Sequence, residues 1–178
     1  MMAIVANLSY ARPPAFAKSG RIITVEHWGH AEAIVWAVQQ DRVVVYRVFD
    51  TDAPDELLAD IPIAKAQVEK IKQAVSAIPK ELRSRLYRPR GVLDGTMLRL
   101  TFTTDGQFAS DRIEVQNLWF PWLGDIVAAI SNVVPEARKI RFKEAIEKRN
   151  RRPDLPIETI SIDEYYGEAN QPPQPPSL

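Results

Sequence analysis

The 178-residue chain has no cysteine. That removes disulfides, thiolate metal ligands, iron–sulfur clusters and a cysteine nucleophile from consideration. It has only two histidines, His27 and His30, and a metal centre needs three or four converging ligands. Seven glycines leave few ways to build a phosphate cradle, and no Gly-rich phosphate loop, GxSxG elbow or HExxH helix occurs. The sequence calls for no cofactor and no metal. Neither sign of charge is in excess, with 23 Lys+Arg against 23 Asp+Glu, so no global field steers the molecule toward nucleic acid or an anionic membrane. No apolar run approaches the roughly 20 residues that cross a bilayer. The opening MMAIVANLSYARPPAFAKSG carries the small-x-small triplet Ala15-Phe16-Ala17. It lacks a positive leading region, and Arg12-Pro13-Pro14 interrupts its short apolar run. The expectation is therefore a cytoplasmic protein with no export signal.

What is present is the makeup of one soluble globular domain, 46% hydrophobic and 26% charged. Residues 1–20 read as an N-terminal extension with freedom to flex, 21–152 as a single domain, and 153–178 as an acidic, Pro-rich tail. Ile22 to His27, Ala33 to Gln39 and Val43 to Phe49 are rich in β-branched and aromatic residues, and short polar or glycine-containing breaks join them into a meander. Asp50 to Asp60 reads as a surface connection, after which Pro62 opens a helix with Asp60 near its N-cap. Ala64, Val68, Ile71, Val75 and Ile78 form the apolar stripe of that helix. Pro79 starts a shorter helical continuation carrying Leu82 and Leu86, ending before Pro89.

Met97 to Thr103 and Arg112 to Leu118 form a second hairpin around Asp105-Gly106. A second amphipathic helix follows Pro121, with Leu123, Ile126, Val127, Ile130, Val133 and Val134 on its stripe. Pro135 to Arg152 alternates like a strand at Ile140 and Phe142 but favours a helix from Glu144 to Arg149, and leans helical. Ile157 to Ile162 can add an edge strand, and GEANQPPQPPSL reads as disordered or extended. Strands grouped in hairpins rather than alternating singly with helices predict an α+β fold, a mainly antiparallel sheet with two amphipathic helices on one face.

The candidate sites are few. EHWGH, Glu26 to His30, reads as the mouth of a hairpin, because alternation on a strand sends Glu26 and His27 to opposite faces. VLDGT, Val92 to Thr96, resembles part of the phosphatase signature of the haloacid dehalogenase family. Val92 stands where that family has its nucleophilic aspartate, so the dipeptides Asp94-Gly95 and Asp105-Gly106 read as ordinary turns. Two basic clusters stand out. One holds Arg83, Arg85, Arg88 and Arg90; the other begins with Arg138, Lys139 and Arg141. Arginine forks match phosphate oxygens, so these would carry a nucleic-acid or anionic-ligand function. The tail after Arg152 carries Asp154, Glu158, Asp163, Glu164 and Glu168 with no cation, and is expected to fold back on the basic segment. Trp119, Phe120 and Trp122 place three large aromatics at a strand-to-helix junction, where exposed rings would anchor a protein partner. With no catalytic residues to name, the expected function is a non-enzymatic protein-binding module, such as a small bacterial inhibitor, immunity or adaptor protein. The alternatives are the nucleic-acid binder and a small enzyme with a pocket between sheet and helices.

Overall fold

Two stretches, EAIVWAV and RVVVYRVF, are apolar almost without a break, which is how strands read when both faces are covered. They form β2 (Glu32–Val38) and β3 (Arg42–Phe49), and with β1 (Ile23–Trp28) they make the expected meander. The structure is a computed structural model that describes residues 21–29, 31–49, 51, 53–92, 95–103, 111–149 and 155–169. The expectations for residues 1–20, His30, Asp94, Asp105-Gly106 and the QPPQPP tail lie outside these.

The remaining strands are β4 (Glu56–Pro62), β5 (Arg85–Pro89), β6 (Met97–Phe102), β7 (Asp111–Gln116) and β8 (Ile157–Ser161). All join one sheet in the order β4-β3-β2-β1-β6-β7-β5-β8. Every pairing is antiparallel except β5 with β7. The helices are α1 (Lys65–Ser76), α2 (Pro121–Ser131), α3 (Phe142–Arg149) and α4 (Ile162–Ala169). The α+β architecture is thus as the sequence predicts. Val68, Ile71 and Val75 of α1, Leu123, Ile126 and Ile130 of α2, and Phe142 and Ile146 of α3 close over one face in a single core. That core includes Ile23, Val25, Trp36, Val45, Leu98, Leu100 and Ile113 from the strands.

Three expectations are corrected. The connection expected over Asp50 to Asp60 becomes a strand from Glu56 onward, because β3 offers its free edge to it. Pro62 ends that strand instead of opening a helix; Ile63 N–H still reaches the Asp41 carbonyl at 2.8 Å, and the helix starts one turn later with Ala64 as its N-cap. The helical continuation expected after Pro79 is a single 3-10 turn, Lys80–Leu82. Ser84 then takes a left-handed φ of 54° and the chain enters β5. Leu86 lies in a strand because β7 and β8 flank it on either side with backbone partners. The ordered fold also continues past Arg152, through β8 and α4.

Candidate functional site

The basic residues disperse. On the approach to β5, Arg83 donates to Asp111 at 3.0 Å and to the Ile78 carbonyl at 3.0 Å, with its guanidinium 5.6 Å from the centre of the Phe102 ring. Arg88 donates to Glu158 at 2.8 Å and lies over Tyr165. The acidic tail therefore does meet a basic residue, but in the first cluster, through the pairing of β8 with β5. Arg85 and Arg90 are exposed. In the second cluster Glu136 holds both Lys139 (2.7 Å) and Arg141 (2.9 Å), and these cations keep its carboxyl below the usual range. The Arg138 carbonyl accepts from the Trp36 indole at 2.7 Å. Trp36 is on β2, four strand positions from β5, so the clusters are separated by roughly 19 Å of sheet. They do not merge into one phosphate-facing surface.

His27 and Glu26 take opposite faces of β1, as alternation requires. His27 Nε2 lies 2.7 Å from Thr96 Oγ1, and that hydroxyl donates to the Trp28 carbonyl at 3.2 Å. The ring edge also meets Phe142. The Thr96 hydroxyl and the Phe142 ring together hold the imidazole in place. No group of three metal-ligating side chains occurs among the described residues.

Behind the sheet, on the face away from α1 and α2, Glu114 is a fully buried carboxylate. Oε1 accepts from Arg99 Nε at 2.8 Å and Arg112 Nε at 2.7 Å, Arg112 Nη2 makes a closer contact still, and the Tyr166 hydroxyl lies within 3.0 Å of both oxygens. Arg99 also reaches Glu26 at 3.1 Å, which in turn accepts from the Trp28 indole. Two carboxylates and two guanidinium groups balance in charge. The cluster pins α4 to the sheet.

The aromatic junction is half-buried and packs against the main core. Phe120 and Trp122 stack at 5.8 Å, and Phe120 meets Tyr87 edge to face at 5.3 Å. Trp119 sits under the Lys143 ammonium. Tyr87 lies on β5, and its cross-strand neighbour is Thr159 on β8. A ladder of rings thus runs from the start of α2 to the edge of the sheet.

That edge is open. Arg90 N–H bonds to the Pro156 carbonyl and Ile162 N–H to the Ser84 carbonyl, which fixes the phase of the β5–β8 ladder. Even-numbered residues of β8 turn their backbone groups to β5. Ile157, Thr159 and Ser161 therefore point theirs outward. The register is regular over all five pairs, without a bulge, and Ile157 is 53% exposed. The opposite edge, β4, exposes Leu57 to 56% but is guarded. Its register shifts at Val45/Tyr46, Glu56 and Asp60 bear charges, and the Pro62 nitrogen occupies an outward position without a proton. An edge strand near Ile157 is legible from its β-branched run between prolines; its unguarded backbone is not.

No helix of the described residues is long and apolar enough to cross a membrane. Compared with known protein families, curated proteins and solved structures, the chain matches none.

Proposed function

We propose that this chain is a non-enzymatic protein-binding module that takes up an extended polypeptide segment as a ninth strand alongside β8. The observation that carries the reading is the inequality of the two edges: β4 is bulged, charged and proline-capped, whereas β8 is regular and directs three N–H and C=O pairs outward. Sheets that are not meant to pair guard their edges. Strand addition draws affinity from main-chain hydrogen bonds and specificity from alternate side chains. Here the side chains beside the incoming strand are Ile157 and Thr159, next to the Tyr87, Phe120 and Trp122 ladder. The fitting segment has apolar side chains at alternate positions on that face. Trp122 and Phe120 serve as the wall against which the first of them packs.

Thr159→Pro tests this cleanly, because it deletes an outward N–H and leaves the ladder to β5 intact. The expected result is a polypeptide retained by the parent and lost by the variant, with slowed amide exchange at Ile157, Thr159 and Ser161 in the complex. Both proteins should melt together to within a few degrees. Exchange at those three amides unaffected by the bound polypeptide overturns the reading. So does a dimer of this chain that Thr159→Pro dissociates, since the occupant would then be a second copy.

A further inference from the structure

The open edge is not uniform in charge along its length. On β5, alternation puts Arg85 and Pro89 on the face of Tyr87, the face that carries Phe120. The cross-strand neighbours of Arg85, Tyr87 and Pro89 on β8 are Ser161, Thr159 and Ile157. Arg85 is exposed, and no carboxylate among the described residues pairs with it. By contrast, Arg83 holds Asp111, and Arg88, on the opposite face, holds Glu158. The two flanks of Arg85 also differ. Ile113, its partner on β7, is fully buried in the core, whereas Ser161, toward the free edge, is short and half-buried. The guanidinium acts on the Tyr87 hydroxyl, in keeping with that placement, as does Glu81 from the Lys80–Leu82 turn without pairing with Arg85. At the other end of the row Ile157 stands 53% exposed beside buried Pro89. The row therefore runs from a cation at the Ser161 end to an apolar surface at the Ile157 end.

We propose that the segment taken up beside β8 carries an Asp or Glu at the position facing Ser161 and an apolar side chain at the position facing Ile157, with Arg85 selecting the acid. This rests on the strand-addition reading and adds the chemistry of the occupant. The two positions lie four residues apart in the segment, whichever way it runs, because β8 fixes both, and a period of two puts their side chains on one face. A ninth strand stands two strand spacings from β5, about 10 Å. An arginine leaning out over Ser161 and a carboxylate side chain leaning in close that span between them. Guanidinium and carboxylate match as forks, and Arg85 breaks no existing ion pair to take one. A lysine in the acid's place would set like charges against each other across the same gap, which destabilises strand pairing. The backbone bonds at Ile157, Thr159 and Ser161 supply affinity for any extended segment, and Arg85 discriminates among segments.

Random nonapeptides displayed on phage and selected on the full chain, then remade as fluorescent peptides for anisotropy at physiological salt, provide the test. Peptides whose binding Thr159→Pro abolishes should share an acid and an apolar residue four positions apart. Arg85→Glu should weaken them by about fivefold or more and reverse the preference, so that peptides with Lys in place of the acid bind better than the originals. Arg85 is exposed and unpaired among the described residues, so Arg85→Glu and Arg85→Gln should melt with the parent. Arg90→Glu makes the same charge change in the turn beyond β5, roughly 16 Å along the strand and more than a Debye length away, and should leave both sets of peptides unaffected. Peptides that depend on Thr159 but show no preference for an acid, or that Arg85→Glu binds as the parent does, overturn the acidic specificity and leave strand addition standing. An equal loss with Arg90→Glu overturns it too, since net charge rather than the contact would then select. If no recovered peptide is sensitive to Thr159→Pro, strand addition itself fails, and this inference fails with it.

Discussion

Glu114 occupies a position in DRIEVQ that alternation alone assigns to solvent, yet it is the one acidic residue in the buried set. A carboxylate out of water persists only where cations and donors replace its hydration, and Arg99, Arg112 and Tyr166 do so. Glu114→Gln removes the buried charge that both Arg99 and Arg112 face, so the expected loss is about 3 to 5 kcal/mol. Urea denaturation of the two proteins checks it. The same cluster sets an alkaline limit. Burial, then the neighbouring Glu114 charge, raises the Tyr166 phenol, and burial raises Tyr46. The unfolded chain releases these protons near pH 10 while the native chain still holds them. Stability is therefore fully retained below about pH 10 and lost as pH rises beyond it. Tyr166→Phe should flatten that fall in melting temperature between pH 9 and about 11. Sequence could not have singled out Glu114, because its partner Tyr166 arrives from α4, far along the chain, and the pattern of β7 is that of any half-exposed strand.

Among the elements, those whose instructions are local were legible. β1 to β3 declare themselves by β-branched runs, and α1 and α2 by apolar stripes at steps of three and four, with Pro121 at the first helical position of α2. β4 and β5 were missed because their justification is a neighbour. ELLADIP and RLYRP lack strong strand composition, and each becomes a strand by taking the backbone bonds that β3, or β7 and β8, offer. The start of α1 was misplaced for a related reason, since Pro62 serves the edge strand instead. What remains at that helix start is Ala64, whose side chain caps nothing, although its N–H donates to the Gln67 side chain at 2.7 Å. Ala64 is exposed and already extended, at φ −72° and ψ 150°. Ala64→Asp supplies an acceptor for the N-terminal amides of α1 and should stabilise the protein by about 1 kcal/mol. A rise of several degrees in the thermal midpoint is the expected readout.

At the scale of the whole molecule, an open eight-stranded sheet must manage two edges, and this one manages them differently. Of the candidate residues named from composition, Arg83 and Arg88 in one cluster and Lys139 and Arg141 in the other are tied into local ion pairs on separate parts of the sheet, whereas the aromatic junction packs on Tyr87, one strand in from β8. A spacing of like charges along the chain carries no information about which strand will separate them, so that part of the site was not readable in advance. If the protection of β4 is what keeps the sheet from pairing there, removing it should show. Pro62→Thr restores an outward N–H on the edge that also carries exposed Leu57, with the charges at Glu56 and Asp60 left in place. The variant should keep its native circular dichroism yet self-associate at concentrations where the parent does not, in a form that Asp or Lys at position 57 reverses. Sedimentation velocity of the three proteins decides it. Identical sedimentation would mean that the bulge at Val45/Tyr46 and the charges at Glu56 and Asp60 suffice, and that the proline contributes no protection at this edge.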